Sequence, residues 1–351
     1  MSALADSEGV ASARLPQAGI ALAACLGRLP FTAMERGYVA GRLRRAPAMA
    51  APIFIVGHWR SGTTHLANLM SQAGFGFVSP LAAGLPWDLL GLARLFRPWL
   101  EQTLPEDRFI DNVPVTPTSP QEDEIALANM TTLSYYHGLY FPKHLTAAFD
   151  RGLFFDGCTP GEILAWQRCL RGFLTKLALA QPGHRLLIKN PAYTARLAML
   201  HGMFPNAKFI HIHRNPHEIF ESMRNFYAKL LRELALQPYA HIDIDRHILA
   251  TFARMMDRLL AEAPSLPAGS FVELGYRDLV DDPLGALARI YRRLGLAGFE
   301  TARPRFEAYL ESVHDYRTNR YNHSRRSAEL VEAHWGRYLD HWGYSRTAAL
   351  S

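Results

Sequence analysis

Residues 52–70 constrain the fold of this 351-residue chain more than any other stretch. Four apolar β-forming residues, 53–56, precede a polar turn, and a helix-compatible run begins at about Thr63. The turn, G-H-W-R-S-G-T-T over 57–64, has the register of the phosphate-binding loop G-x-x-x-x-G-K-[ST], with Thr63 at the lysine position. Such a loop and the helix N-terminus behind it bind anions through backbone N–H groups. We therefore predict a phosphate site at Arg60, Ser61, Gly62, Thr63 and Thr64.

The missing lysine decides which phosphate fits. That lysine would reach the β- and γ-phosphates of a triphosphate, whereas Arg60 brings a planar, permanently charged group from the near side of the loop. A 5′-phosphate suits this arrangement better than ATP·Mg. The alternative is a structural Gly-Thr turn that binds nothing.

A second block, F-P-N-A-K-F-I-H-I-H-R-N-P over 204–216, indicates a second anion site. Residues 207–213 have the composition of a buried strand, and Asn215-Pro216 ends it and starts a helix. Arg214 then lies at the carboxyl end of the strand, and Ser222 lies about two turns into the helix. Two phosphate sites at neighbouring strand ends suit a nucleotide that is phosphorylated at both ends.

Both blocks resemble those of the sulfotransferases that use 3′-phosphoadenosine 5′-phosphosulfate (PAPS). R-S-G-T-T is similar to their 5′-phosphosulfate loop, and the second block is similar to their 3′-phosphate site. The resemblance implies PAPS as cofactor and 3′,5′-bisphosphoadenosine as product. It also implies that Tyr276, the tyrosine of a Y-x-[DEQ]-L motif that follows a predicted strand at 270–274, packs near the adenine. A basic loop near the C-terminus closes over the 3′-phosphate in this superfamily, with candidates Arg317, Arg320, Arg325 and Arg326; a solvated loop is the alternative.

Lys189 is a candidate catalytic residue. It ends an apolar run, R-L-L-I-K over 185–189, and Asn190-Pro191 follows. The tyrosylprotein sulfotransferases carry a similar K-D-P with a catalytic lysine. By that match Lys189, together with Arg60, stabilises charge on the leaving phosphate. A rim lysine in a salt bridge is the alternative.

The general base is expected among the acids of S-P-Q-E-D-E over 119–124. Ser119 and Glu122 have the spacing of a capping box, with Pro120 at the first helical position. That gives Glu122 a structural role, yet Glu122 or Glu124 can accept the proton of an acceptor hydroxyl. The tyrosylprotein enzymes have their catalytic glutamate about twenty residues after the loop, where this chain has no acid. His58 is held in reserve as the base.

Three other features bound the function. The pair His211 and His213, with His217, suggests a metal, but strand histidines beside an anion site are more often packed, and no metal is predicted. A charge of +6 suits an anionic ligand, and the scattered basic residues indicate no nucleic-acid partner. Three separated cysteines favour a reducing, cytoplasmic setting.

The N-terminal region is predicted to lack a transmembrane segment. The apolar run 18–26 is too short to span a bilayer, so we expect a packing helix. The arginines of 42–45 are interpreted as a solvated helix end rather than a lipid-binding patch. The sequence does not decide among a lipid-like, aromatic or glycan acceptor, and it leaves a homo-oligomer open.

The expected fold is a three-layer α/β domain. Strands near 53–57, 185–189, 207–213 and 270–274, with a fifth near 75–79, predict a parallel sheet flanked by helices. We expect one domain over 1–351, with a helical N-terminal extension at 1–50 and a mostly helical substrate cap at 78–156. The predicted activity is sulfuryl transfer from PAPS to a hydroxyl or amine. The alternatives are a nucleotide kinase or NTPase and a non-catalytic nucleotide-binding protein.

Overall fold

The computed structural model describes residues 9–43, 49–102, 119–313 and 324–346. The strands are β1 (Ile53–Val56), β2 (Leu187–Lys189), β3 (Lys208–His213) and β4 (Phe271–Gly275). The α-helices are α1 (Leu15–Leu43), α2 (Thr63–Ser71), α3 (Pro80–Gly84), α4 (Leu92–Leu95), α5 (Arg97–Gln102), α6 (Asp123–Met130), α7 (Tyr136–Tyr140), α8 (Leu145–Phe154), α9 (Pro160–Ala180), α10 (Leu197–Met203), α11 (Pro216–Leu234), α12 (Ile244–Glu262), α13 (Tyr276–Asp281), α14 (Pro283–Leu294), α15 (Phe299–Ser312) and α16 (Arg325–His341). Short 3₁₀ helices lie at Ser12–Arg14, Pro142–His144, Pro191–Ala195 and Ala263–Ser265.

The chain divides into two compact units. The first comprises Met1–Ala50, Gly76–Leu186 and Ala228–Ile242, and the second comprises Ala51–Phe75, Leu187–Tyr227 and Asp243–Ser351. The single domain and the cap expected from the sequence stay predictions.

The second unit is built on a four-stranded parallel sheet in the order β2-β1-β3-β4. Every residue of β1 is buried, as expected for a central parallel strand covered on both faces. Ile53 and Ile55 pack in one core with α2, α14 and α15. Phe54, on the opposite face, contacts Tyr193 of the 3₁₀ helix Pro191–Ala195 at 5.6 Å between ring centroids. The expected three-layer α/β fold is confirmed.

The fifth strand expected near 75–79 is a single parallel bridge between Gly76 and Leu186. The side chain of Gln181 explains why the pairing stops there. Its amide oxygen accepts from the Phe77 N–H at 3.1 Å, and its amide nitrogen donates to the Phe77 carbonyl at 2.9 Å. The backbone groups that a strand would use are therefore satisfied by a side chain.

The first unit is mostly helical, and a buried ion pair anchors its longest helix, α1. Glu35 is one of the few buried residues of α1, and its carboxylate accepts from Lys176 of α9 at 2.8 Å. The same lysine donates to the carbonyls of Pro86 and Trp87. Because both charges are paired and hydrogen-bonded, their burial is compensated, and α1 is fixed at this point.

Candidate active site

The loop between β1 and α2 has a backbone that only glycine permits at its two ends. Gly57 has φ +145° and Gly62 has φ +104°. A Cβ at Gly57 would lie 2.4 Å from the Ile212 carbonyl oxygen, and one at Gly62 would lie 2.3 Å from Cδ2 of Tyr276. Helix α2 starts at Thr63, directly after Gly62. The geometry is therefore that of an anion cradle at a helix N-terminus.

Ser61 supplies a polar group inside the loop. Its side chain is 1% exposed, and its Oγ has no hydrogen-bond partner among the described residues. Its backbone N–H donates to the His58 carbonyl at 3.1 Å. A buried hydroxyl without a partner is costly in a folded protein. The loop thus fits a ligand that brings a hydrogen-bond acceptor, as a phosphate oxygen does. Thr63 is buried and Thr64 half-buried in the first turn of α2.

Arg60 connects the loop to the second predicted block. It is one of two non-glycine residues with positive φ among the described residues, at +71°. Its Nε donates to Ser222 Oγ on α11 at 2.9 Å, and its carbonyl oxygen accepts from Arg214 at 3.4 Å. A strained backbone held at a functional loop is a recurrent feature of binding sites. The structure therefore brings the two sequence-predicted anion-binding blocks together through one residue.

Arg214 directly follows β3, as predicted, and its guanidinium has two neighbours. Its Nε donates to the Glu218 carboxylate at 2.6 Å, one turn along the chain. Its Cζ lies 4.6 Å from the centroid of the Tyr276 ring. Stacking on the ring and pairing with Glu218 hold the guanidinium in one orientation. Ser222 is buried on the same helix face as Glu218, one turn further along.

Tyr276 is the first residue of α13 and follows β4. Its ring covers Gly62, and burial raises the pKa of its hydroxyl, so that it stays protonated at neutral pH. Adenine contact, which the resemblance implies, stays a prediction. The aromatic face beside Arg214 is suited to a planar base.

Lys189 is the last residue of β2 and is 2% exposed. It pairs in register with Ile55 of β1, and the next residue, Asn190, donates its N–H to the Ile55 carbonyl. Asn190 also caps the 3₁₀ helix through its side chain. Thr194 of that helix accepts from the Gly57 N–H at 2.8 Å. The lysine and the loop are thus fixed to one another through β1, at the carboxyl edge of the sheet where ligands bind in such folds.

Glu122 and Glu124 lie in the first unit at the start of α6 and are buried. The predicted capping box is wrong, because α6 begins at Asp123 with Glu122 in the N-cap position and no side-chain cap. The Gln121 N–H donates to the Val78 carbonyl at 2.7 Å, which keeps this part of the chain extended. Glu124 accepts from Ser134 Oγ at 2.7 Å, and the Tyr135 hydroxyl lies 3.5 Å from a Glu122 oxygen. Glu122 is therefore the N-cap residue of α6 and not the third residue of a capping box.

The histidines near the loop make structural contacts. Burial lowers the pKa of His58 to about 4, and its Nδ1 donates to the Trp59 carbonyl at 2.9 Å. Burial likewise lowers the pKa of His213 to about 4, and its Nδ1 lies 2.8 Å from the Tyr344 hydroxyl. His211 pairs with Glu273 at 2.7 Å. In the described ranges, no group of three His, Cys, Asp or Glu residues has an arrangement that could hold a metal ion.

The C-terminal arginines divide into two groups. Arg317 and Arg320 lie outside the described residues. Arg325 is exposed in the first turn of α16 and pairs with Glu329 at 3.0 Å, and Arg326 is also exposed. An exposed i,i+4 pair contributes little to stability, so Arg325 is available to an anion at small cost.

The sequence did not point to Thr194 or Glu218. Glu218 had a signal, since it lies four residues after Arg214 on a predicted helix. Thr194 had none, because its contact with Gly57 joins residues 137 positions apart.

Comparisons with known proteins show which proteins the chain is similar to. The profile described as "Sulfotransferase family" matches residues 52–301. A protein of Mycobacterium bovis, named omega-hydroxy-beta-dihydromenaquinone-9 sulfotransferase Stf3, is 32% identical over 302 residues, covering 84% of this chain and 76% of the relative. Two crystal structures are similar in fold. Sulfotransferase STF9 of Mycobacterium avium has a TM-score of 0.71 at 17% identity, covering 89% of this chain and 82% of that one. STF1 of Mycobacterium tuberculosis H37Rv has a TM-score of 0.66 at 19% identity, covering 95% and 89%.

Proposed function

The chain belongs to the sulfotransferase family and is an enzyme of sulfuryl transfer, and from that premise we propose that PAPS is its donor and a lipid-like alcohol its acceptor. The kinase and NTPase alternatives lose their support with this family membership. Thr63 at the lysine position agrees with that exclusion.

One observation carries the choice of donor. Arg60 belongs to the first anion site, and it contacts both Ser222 and Arg214 of the second. Two cationic sites that share a residue fit one ligand with two phosphate groups. A nucleoside triphosphate has no second phosphate position to occupy the Arg214 site, whereas PAPS has both a 5′-phosphosulfate and a 3′-phosphate.

The residues present fit this donor. The loop, with the unpartnered Ser61 hydroxyl and the glycine-only backbone at Gly57 and Gly62, would hold the 5′-phosphate. Arg214 and Ser222 would hold the 3′-phosphate, and Tyr276 would contact the adenine. When bound, PAPS supplies the sulfuryl group and a phosphate leaving group. Arg325, and Arg320 outside the described residues, are further candidates for the 3′-phosphate.

Lys189 and Arg60 would stabilise the negative charge that develops on the leaving phosphate. Lys189 is buried, so its charge acts in a medium of low dielectric constant and is weakly screened. Both residues are fixed before substrate arrives, Lys189 by its strand and Arg60 by its bond to Ser222. Such preorganised charges reduce the cost of reorganisation during the reaction.

Glu122 or Glu124 would take the proton of the acceptor hydroxyl. Both are buried carboxylates, and each lies beside a hydroxyl group, Tyr135 for Glu122 and Ser134 for Glu124. A carboxylate needs partial burial to act as a base near neutral pH.

The proposed acceptor class is supported by the Mycobacterium bovis relative, which is 32% identical to this chain. That protein is named for an omega-hydroxylated menaquinone, which carries its hydroxyl on an apolar chain. We propose the same chemical class for this chain, a primary alcohol on a lipid-like body.

The direct test is transfer of ³⁵S-labelled sulfuryl groups from PAPS to a long-chain primary alcohol, with a hydrophilic sugar as the comparison acceptor. We expect labelled product with the alcohol and none with Lys189→Ala, while Arg303→Ala, which removes an exposed ion pair on α15, keeps wild-type activity. Product with the sugar alone would reject the lipid-like acceptor. No transfer to any acceptor, with hydrolysis of ATP·Mg, would reject the donor.

A further inference from the structure

The exposed apolar side chains of this protein are concentrated in two segments of the first unit. Among the described residues, thirteen large hydrophobic side chains are exposed, and eleven of them lie in α1 or in 95–99. The α1 members are Leu15, Ile20, Leu22, Leu26, Leu29, Phe31, Met34 and Tyr38, and the others are Leu95, Phe96 and Trp99. We call this set the apolar face. Met34 is 74% exposed and Trp99 63%. Exposed apolar surface on this scale marks an interaction site.

The two segments are held together by buried polar contacts. The Glu35 carboxylate of α1 accepts from the Gly91 N–H at 2.7 Å, immediately before α4. Asp88 accepts from Arg28 at 2.7 Å and from Thr32 at 2.7 Å, both on α1. The second half of α1 and the start of 92–99 are therefore neighbours, so the exposed apolar side chains of these two parts lie in the same region of the protein, and those of Leu15–Leu26 continue along the same helix.

The charge of this surface is mostly positive. Residues 9–43 and 76–102 contain six arginines, Arg14, Arg28, Arg36, Arg42, Arg94 and Arg97, and three acids, Glu35, Asp88 and Glu101. Glu35 and Asp88 are buried, at 4% and 0% exposure, and paired. Arg36, Arg42, Arg94 and Arg97 are exposed. The exposed arginines of these segments therefore outnumber the one remaining acid, Glu101.

This combination favours an anionic bilayer over a second copy of the chain. A two-fold dimer would bring the same face of two copies together, so the exposed arginines would meet one another with only Glu101 of each copy to pair them. Lipid headgroups of negative charge match the arginines, while the apolar side chains enter the boundary between headgroups and acyl chains. Trp99 is a side chain typical of that boundary. Among the described residues, no helix is long and apolar enough to cross a bilayer.

We infer that the apolar face docks reversibly on an anionic lipid bilayer, with α1 and residues 92–99 lying in the plane of the interface. The sequence alone favours a solvated helix end for 42–45 and a packing helix over 18–26, whereas in the structure Ile20, Leu22 and Leu26 are exposed. The inference rests on the surface and not on the proposed donor or acceptor.

The test is co-sedimentation of the full chain with phosphatidylcholine vesicles that contain phosphatidylglycerol, compared with phosphatidylcholine alone. We expect binding to the anionic vesicles that weakens as salt is added. Arg94→Gln should lower the partition coefficient about fivefold, since one arginine near an anionic surface contributes about that factor. The double variant Met34→Asp/Trp99→Asp should lower the partition coefficient about tenfold or more, because two apolar side chains that would be buried in the bilayer interface are removed.

Val280→Asp provides the matched control. Val280 is exposed at 50% but lies on α13, outside the apolar face, so its variant should bind vesicles like the wild type. Because all substituted side chains are exposed, unchanged circular dichroism is expected. Equal binding by the double variant would overturn the inference. So would the absence of vesicle binding together with a dimer, seen by sedimentation velocity, that the double variant dissociates; the face would then be a subunit interface.

Discussion

The ring of Tyr276 lies directly over Gly62, so that a Cβ on the glycine would stand 2.3 Å from Cδ2 and 2.8 Å from Cε2 of the ring. The end of the anion loop and the first residue after β4 are therefore packed so closely that position 62 has room for the hydrogen of glycine but not for a Cβ. The same ring stacks on Arg214, whose guanidinium Cζ is 4.6 Å away. One aromatic side chain thus couples the loop to the second anion site.

Gly62→Ala should reduce both stability and nucleotide affinity. The added methyl group displaces Tyr276, and alanine at φ +104° adds backbone strain of about 1–3 kcal/mol. We expect a lower free energy of unfolding and weaker binding of 3′,5′-bisphosphoadenosine, measured by denaturation and calorimetry. Gly172→Ala is the control, because a Cβ there meets nothing within 4 Å and a helical alanine adds about 0.5–1 kcal/mol of stability. Equal effects of the two substitutions would contradict this reading.

Lys189→Met should reduce kcat with little change in the affinity for 3′,5′-bisphosphoadenosine. The lysine is assigned to charge that develops during transfer, and removal of one such donor costs about 10²- to 10³-fold in rate. Methionine keeps the apolar volume of the buried side chain. Single-turnover kinetics and calorimetry separate the two quantities. A large loss of affinity at unchanged rate would instead make Lys189 a binding residue.

Glu122→Gln and Glu124→Gln distinguish the two candidates for the base. Glutamine retains the shape and a hydrogen-bonding oxygen but cannot accept the proton. The variant of the true base should lose about 10²- to 10⁴-fold in kcat and the acidic limb of the pH–rate profile. The other should keep both and lose only stability. If both variants keep the wild-type pH–rate profile, neither Glu122 nor Glu124 is the general base, and a histidine is the remaining candidate.

Stability should decrease as the pH falls from about 6.5 to about 4. Burial lowers the pKa of His58 and of His213 to about 4 in the folded chain. In that window the unfolded chain binds protons at these positions and the folded chain does not. Each histidine therefore removes up to about 1.4 kcal/mol of unfolding free energy per pH unit.

His58→Asn, which retains a donor for the Trp59 carbonyl, provides the comparison for that slope. It should lower stability at pH 7 and flatten the dependence between pH 6.5 and 4.5, as followed by urea denaturation. A slope identical to that of the wild type would show that His58 is not protonated on unfolding.

The sheet was predictable because its strands are continuous apolar runs, which is how parallel strands read in sequence. Helix α14 shows such local signals at both ends, since Pro283 occupies its first position and Gly295 follows it in the left-handed region. The failures have tertiary causes. The hydrogen bond from the Gln121 N–H to the Val78 carbonyl keeps residue 121 extended, so α6 begins later than predicted. The Gln181 side chain binds the backbone of Phe77, so the predicted fifth strand does not form there.

The site was predictable where local patterns carried it. Gly57 and Arg214 directly follow β1 and β3, and Gly62 directly precedes α2, all at positions that the sequence marks. The pairing of Arg60 with Ser222 required folding, since 162 residues separate the two. Glu218, which neutralises Arg214 in this structure, is a contact that a bound 3′-phosphate would have to share or replace.

The most direct test of the two phosphate sites is calorimetric binding of 3′,5′-bisphosphoadenosine, with adenosine 5′-phosphate and ATP·Mg as comparison ligands. We expect tight binding of the bisphosphate, and a loss of affinity in Arg214→Ala that is much larger for the bisphosphate than for adenosine 5′-phosphate. Arg214→Lys should recover little of it, because a lysine cannot make the two parallel contacts of a guanidinium. Binding of ATP·Mg in preference to the bisphosphate, unaffected by Arg214→Ala, would contradict the assignment of two phosphate sites and with it the proposed donor.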